Sequence, residues 1–241
     1  MACGASPRAR NRNARSSCSS ISRAQGVALS EAEPPKVAER VFGPGLPLAC
    51  RYAELLTSSG VERGLLGPHE ASRIWERHLL NCAVVSELLP RAARVVDIGS
   101  GAGLPGIVLA CARPDLRIDL VEPMARRVTF LKEAVAALAL AGRVSVVRGR
   151  AEERAVIRRV APVAWVTARA VAPLDRLAAW CLPLLKPGGH LLALKGRRGA
   201  QELDEHRDAI SRLGGVDQHV VLCGVDLLAS PTTVIVIRRR K

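Results

Sequence analysis

The chain has 241 residues, of which 49% are hydrophobic and only 2% aromatic, enough for one α/β domain of ordinary size whose core must be Leu, Val, Ala and Ile. A net charge of +14 fits a polyanionic partner, and no run reaches the roughly 18 apolar residues that a membrane span requires. Seven cysteines without a Cys-x-x-Cys pair, or a His partner at metal spacing, argue against a zinc site and for a reduced, cytoplasmic setting. The charge is uneven. Five arginines in residues 1–30 and the run Arg238-Arg239-Arg240-Lys241 take nine positive charges, leaving +5 for the body. Cys82, Cys111 and Cys181 fall inside apolar helical patterns and read as small buried hydrophobes.

Residues 1–33 lack periodicity and read as a disordered basic leader, or as sequence upstream of the true start; no apolar stretch makes them a secretory signal. Glu33-Pro34-Pro35 marks the beginning of order. From Lys36 to Leu89 apolar residues recur at intervals of three and four, which predicts helices broken at Gly43-Pro44-Gly45 and Gly64–Pro68 and stopped by Pro90. Strands are then expected at 94–98, 116–121, 143–148, 163–168, 189–195, 219–223 and 232–238. Helices are expected at 104–113, 124–140, 151–159, 173–185 and 200–213. The early strands are nearly continuous Val/Ile/Leu runs, as in a parallel sheet covered on both faces. Only a loop separates the last two, so they should pair antiparallel. The division is a leader (1–33) and one domain (34–241), made of helices (34–90), an α/β core (91–238) and a basic tail (239–241).

Between the first strand and its helix lies Val96-Asp97-Ile98-Gly99-Ser100-Gly101-Ala102-Gly103-Leu104-Pro105-Gly106. Glycines at this density let backbone turn sharply and approach a ligand closely. Such a loop before a helix N-terminus is a nucleotide-cofactor cradle. Read from Gly101 it satisfies G-x-G-x-x-G, the dinucleotide pattern. Register argues otherwise: the pattern should start at the strand end, at Gly99, and then position 104 is Leu. Asp97 before the glycines and Glu122 at the end of the next strand resemble the S-adenosylmethionine loop of class I methyltransferases. In that resemblance the second acid accepts hydrogen bonds from the ribose.

Gly99–Gly106 is similar to the G-[TS]-G-x-G-[LF]-P-G signature of one bacterial family, the 16S ribosomal RNA guanine-N7 methyltransferases, or glucose-inhibited division protein B. Arg77-His78-Leu79-Leu80-Asn81 resembles its R-H-[IL]-x-[DN] helix, with Asn81-Cys82 in place of the usual Asp-Ser. Glu122–Leu131, Arg150-Ala151-Glu152-Glu153, Thr167–Ala172 and Leu194-Lys195-Gly196 also agree, in order. The resemblance spans roughly Val41 to Arg238. It implies a Rossmann-like, seven-stranded, mostly parallel sheet ending in an antiparallel hairpin. It implies a cofactor site of Asp97, Gly99, Gly101, Gly103, Leu104, Glu122, Ala151, Glu152 and Arg169. Arg169 and Lys195 would orient the base at the methyl-transfer site, and His78, Arg77, Arg150 and Lys195 would face the RNA.

Simpler readings stand beside these. Arg126 and Arg127 read as solvated helix charges. Glu152 and Glu153 would favour a helix first turn whatever their ligand. His78, on an apolar helical face, reads equally as a satisfied core histidine. An arginine at 169, flanked by Val166, Ala168, Ala170 and Val171, is costly to bury without an anionic or hydrogen-bonding partner.

Guanine N7 carries an exposed lone pair, so its methylation needs alignment and no general base. That suits a chain without a Ser-His-Asp, Cys-His or paired-carboxylate constellation. The expected partner is 16S rRNA or the small ribosomal subunit, with S-adenosylmethionine as cofactor, no metal, no membrane, and a cytoplasmic monomer. Two alternatives remain at this stage: methylation of a small molecule or protein, and a non-enzymatic RNA-binding or assembly factor on the same fold.

Overall fold

The computed structural model describes Met1 and residues 33–241, so the leader expected at 1–33 lies almost wholly outside the described residues. The expected N-terminal helices are short and irregular. α1 (Val37–Phe42) leads through a 3₁₀ turn (Gly43–Gly45) into α2 (Leu46–Leu55), which runs on as a wide π-turn (Leu56–Gly60). α3 (Pro68–Ala71) precedes a second π-turn (Ile74–Leu80), then α4 (Asn81–Ala83) and a 3₁₀ turn (Val84–Leu88). Proline stands at the first or second residue of several of these pieces, where its missing N–H removes no helical bond.

The core alternates as expected: β1 (Arg94–Ile98), α5 (Gly106–Ala112), β2 (Arg117–Glu122), α6 (Ala125–Ala137), β3 (Val144–Arg148), α7 (Arg154–Val160), β4 (Val163–Arg169), α8 (Leu174–Cys181), β5 (Leu185–Lys195), α9 (Gly199–Arg212), β6 (Gly215–Cys223) and β7 (Thr232–Arg239). The sheet order is β3-β2-β1-β4-β5-β7-β6. β1 to β5 pair in parallel, and β7 runs antiparallel between β5 and β6. The chain steps from β1 to β2 in one direction and from β3 across to β4 on the other side of β1. The crevice above the carboxyl ends of β1 and β4 is therefore a topological switch point, where open α/β sheets bind ligands.

Alternate residues sort the core into two layers. Val95, Leu120, Leu192 and Val234 pack with the N-terminal helices, α5 and α6. Val96, Val121, Val166, Leu191 and Ile235 pack with α7, α8 and α9. Cys82, Cys111 and Cys181 are buried thiols, as expected. Among the described residues no helix is long and apolar enough to cross a membrane.

Several boundaries differ from expectation, among them the start of β6, at Gly215 and not at 219. The helix expected from 151 starts at Arg154, so Glu152 lies in the turn before it and not in its first turn. The helix expected over 173–185 stops at Cys181 and ends in a 3₁₀ turn (Leu182–Leu184). β5 already starts at Leu185, with a register irregularity opposite β4 that absorbs Lys186–Gly189. The expected tail is shorter by one residue, because Arg239 closes β7 and its guanidinium donates to the carbonyls of Leu185 and Pro183.

Candidate active site

Three glycines of the β1–α5 loop adopt left-handed φ: +67° at Gly99, +59° at Gly101 and +99° at Gly103. Side chains rarely adopt that region, so the loop's path depends on them. At Gly99 an added Cβ would stand 2.7 Å from a Val171 methyl; at Gly101 its nearest neighbour is the Gly99 carbonyl oxygen, 3.8 Å away. The loop thus packs against the β4–α8 segment at Gly99 and presents open backbone at Gly101.

Three polar pins hold the loop. Asp97 is fully buried; its carboxylate accepts the Thr167 hydroxyl at 2.9 Å and the Gly106 N–H at 3.2 Å. Burial pushes the Asp97 carboxyl up to about 6, against the lowering effect of those bonds. Glu122, 1% exposed, accepts the Gly101 N–H at 2.9 Å and the Met124 N–H at 3.0 Å. The third pin is Tyr52 on α2, whose phenol donates to the Ala102 carbonyl at 2.5 Å. Sequence reasoning missed Tyr52. It is the chain's one tyrosine, fixed in a helical pattern that explained its apolar ring but not its hydroxyl.

A cleft of ≈ 150 Å³ opens beside the loop. Its walls are Ile98, Gly99, Val121, Pro123, Gly149, Arg150, Ala151, Glu152, Val171 and Trp180. The structure thus brings Gly99, Ala151 and Glu152 together as expected, and adds Arg150, which had been expected to face RNA. Ile98, Val121, Val171 and Trp180 are apolar walls that sequence reasoning took for ordinary core and loop residues. Asp97 and Leu104 do not line the cleft. Asp97 is enclosed beneath the loop, and Leu104 packs on the helical layer that holds Tyr52.

Arg169 also lies outside the cleft walls. It ends β4 on the face opposite Ala168 and reaches the N-terminal helices. Its guanidinium donates to His78 Nδ1 at 2.6 Å, to Cys82 Sγ at 3.0 Å and to the Arg77 carbonyl at 3.3 Å. Arg77 and His78 both engage Glu70, at 2.8 Å each. Arg77, His78 and Arg169 are therefore one cluster, with Arg77 directed at Glu70 by its side chain. Lys195 stands apart from it. Its side chain is 11% exposed and its ammonium donates to Glu202 at 2.6 Å and the Ala172 carbonyl at 3.0 Å, while Glu202 also accepts the Leu174 N–H at 3.0 Å. Lys195 clamps the β4–α8 segment to α9, and Glu202 matches its charge there. Arg127 is half-buried with its guanidinium 3.9 Å from Glu122, so it is not simply a solvated charge. Among the described residues no cluster of His, Cys, Asp or Glu could hold a metal.

The model of the family described as rRNA small subunit methyltransferase G matches residues 46–228. The chain belongs to the rRNA small subunit methyltransferase G family. The ribosomal RNA small subunit methyltransferase G of Salinispora arenicola is 58% identical over 214 residues, covering 86% of this chain and 88% of the relative. That of Mycobacterium leprae (strain TN) is 57% identical over 198 residues, 82% and 80%. That of Mycolicibacterium gilvum is 55% identical over 203 residues, 84% and 88%. Among solved structures, the apo form of the S-adenosylmethionine-dependent methyltransferase SibL matches with a TM-score of 0.56 at 17% identity, covering 79% of this chain and 62% of that one. The mitomycin 7-O-methyltransferase MmcR matches at 0.54 and 19%, covering 84% and 66%. These two share the fold.

As a member of this family the protein is an S-adenosylmethionine-dependent methyltransferase. The residues present fit that cofactor. The cleft is walled mainly by apolar side chains, with Arg150 and Glu152 at its polar edge, the lining that an apolar base with a polar ribose side requires. At Gly101 a Cβ would meet only the Gly99 carbonyl oxygen, at 3.8 Å, so the backbone there is approachable.

Proposed function

We propose that this protein transfers a methyl group from S-adenosylmethionine to N7 of a guanine in 16S rRNA, acting as a monomer in the cytoplasm. The observation that carries the reading is a cleft at the switch point of the sheet, walled by Gly99, Val121, Ala151 and Val171, in a member of this rRNA methyltransferase family. When bound, the cofactor supplies an electrophilic methyl on a positively charged sulfur. Ile98, Val121, Val171 and Trp180 hold the purine in an apolar slot. Glu122, at the end of β2, keeps lone pairs for the ribose while its existing bonds fix the loop.

Arg169 faces the side where a target base would enter, at the carboxyl end of β4 beside β1. It donates to guanine O6 or a flanking phosphate and so aligns N7 with the methyl group. N7 has no proton to lose, so no general base is needed. His78 is not a base in this arrangement, because Arg169 occupies its Nδ1. The +5 body supplies salt-sensitive affinity for RNA.

The test is mass mapping of 16S rRNA from cells lacking the gene, before and after complementation. One guanine should lose, then regain, a methyl on N7. Methylation restored at another atom, or at no rRNA nucleotide, overturns the reading. Isothermal titration with S-adenosylmethionine checks the cofactor independently.

A further inference from the structure

We propose that Glu70 and His78 form a positioning pair for Arg169, with the neutral imidazole accepting a hydrogen bond from the guanidinium. The proposal rests on the reading that Arg169 aligns the target base. A guanidinium can only donate, so His78 Nδ1, 2.6 Å from Arg169, must accept. The ring proton then sits on Nε2, which donates to Glu70 Oε2 at 2.8 Å. The other Glu70 oxygen accepts from Arg77 at 2.8 Å. The result is a continuous chain from carboxylate to imidazole to guanidinium.

Arg169 uses three of its donors on His78, Cys82 and the Arg77 carbonyl. Two N–H groups remain without a partner among the described residues, and the three engaged ones fix the plane in which those two are presented. A carboxylate that orients an imidazole, which in turn orients a charged donor, is the same device that fixes tautomers at metal and triad sites. The wide π-turn Ile74–Leu80 carries His78 into this place, and such turns are frequent at functional sites.

Protonation of His78 would set an N–H against the guanidinium and break the contact. The charged groups facing the ring are Arg169 from β4, Glu70 from α3 and Arg77 from its own turn, with the Cys82 thiol beyond Arg169. Burial and the Arg169 charge hold the His78 imidazole below the usual histidine range, and Glu70 opposes them. Removing the Glu70 charge must therefore lower it further.

The experiment compares wild type, Glu70→Gln and Arg169→Ala in single-turnover methylation across pH, with ring-nitrogen NMR of His78 in the same proteins. The NMR arm needs no cofactor. The expected result is an Nε2–H tautomer, and an acid limb of the rate that follows the His78 titration. In Glu70→Gln both limb and titration should move to lower pH by about one unit. Asp97 also titrates near 6 but is untouched by this variant, so only the His78 part of the limb moves. An Nδ1–H tautomer, or a limb that stays in place while the His78 titration moves, overturns the proposal. Arg169→Ala turning over like wild type overturns the underlying reading of Arg169 and the pair with it. A slow Arg169→Ala beside an unmoved Glu70→Gln limb overturns the positioning pair alone.

Discussion

Replacing Tyr52 by Phe removes one oxygen atom and nothing else from the joint between α2 and the glycine loop. The ring is fully buried, so its packing persists, but the Ala102 carbonyl loses a donor 2.5 Å away. Burial holds the Tyr52 phenol well above its usual range, so it donates at every working pH. An orphaned buried acceptor costs about 1–3 kcal/mol. For a domain of this size each kcal/mol lowers Tm by about 2–4 °C, so Tyr52→Phe should melt roughly 2–12 °C below wild type. The loss falls on the segment that carries Gly101 and Gly103, so cofactor affinity should fall too. If about 1.4 kcal/mol of it appears in the loop's bound conformation, the affinity drops about tenfold. Thermal melts with and without S-adenosylmethionine, and calorimetric titration on the same preparation, measure both quantities. A Tm within 1 °C of wild type together with unchanged affinity would refute the claim that Tyr52 pins the loop.

Gly99→Ala places a methyl 2.7 Å from Val171 at a φ of +67°, so it should cost about 1–2 kcal/mol in backbone alone and weaken cofactor binding; titration showing wild-type affinity would remove Gly99 from the site. Asp97, at about 6 when folded against 3.8 otherwise, keeps protons that the unfolded chain has released, so wild-type stability falls as pH rises from about 4 to 6, by on the order of 3 kcal/mol. Asp97→Asn should flatten that fall in denaturant melts, and an identical pH dependence in the two proteins would be the wrong outcome for a buried, destabilised carboxylate. Lys195→Met unclamps the Ala172 carbonyl and leaves Glu202 without its cation, so melting temperature and turnover should drop together. Reduced turnover at an unchanged Tm would instead return Lys195 to the substrate side.

The sheet was legible in the chain because its signals are local. Val95-Val96-Asp97-Ile98 is a buried-strand run, and Gly99, Gly101 and Gly103 state their own conformational demand. The cleft was legible only in part: Gly99, Ala151 and Glu152 came from a motif, whereas Trp180 looks like any aromatic on an amphipathic helix until α8 is placed beside β4. Lys195 and Arg169 show where reading along the chain stops. Each is a cation at a strand end, and their sequence contexts are alike. What separates them is a partner: Glu202 one helical approach away for Lys195, and His78, ninety-one residues earlier, for Arg169. A helix bound failed where a local contact holds the chain in a turn, as at Glu153, whose carboxylate turns back to the Arg150 N–H just before α7.

The place of β7 bears on how the molecule is assembled. It is the last strand of the sheet in chain order, yet it lies inside, between β5 and β6. β6 therefore has no neighbour until β7 arrives, and β5 keeps a bare edge of unpaired amides for the same interval. A chain emerging from its amino end can close the β3-β2-β1-β4-β5 half while the other half waits. A cut between Cys223 and Thr232 would strip two strands from the sheet and not one, because β6 loses its only neighbour, and would leave the apolar side chains Ile235 and Ile237 missing from under α9. Arrival of β7, Thr232–Arg239, is thus the single step that pairs the free edges of β5 and β6 together.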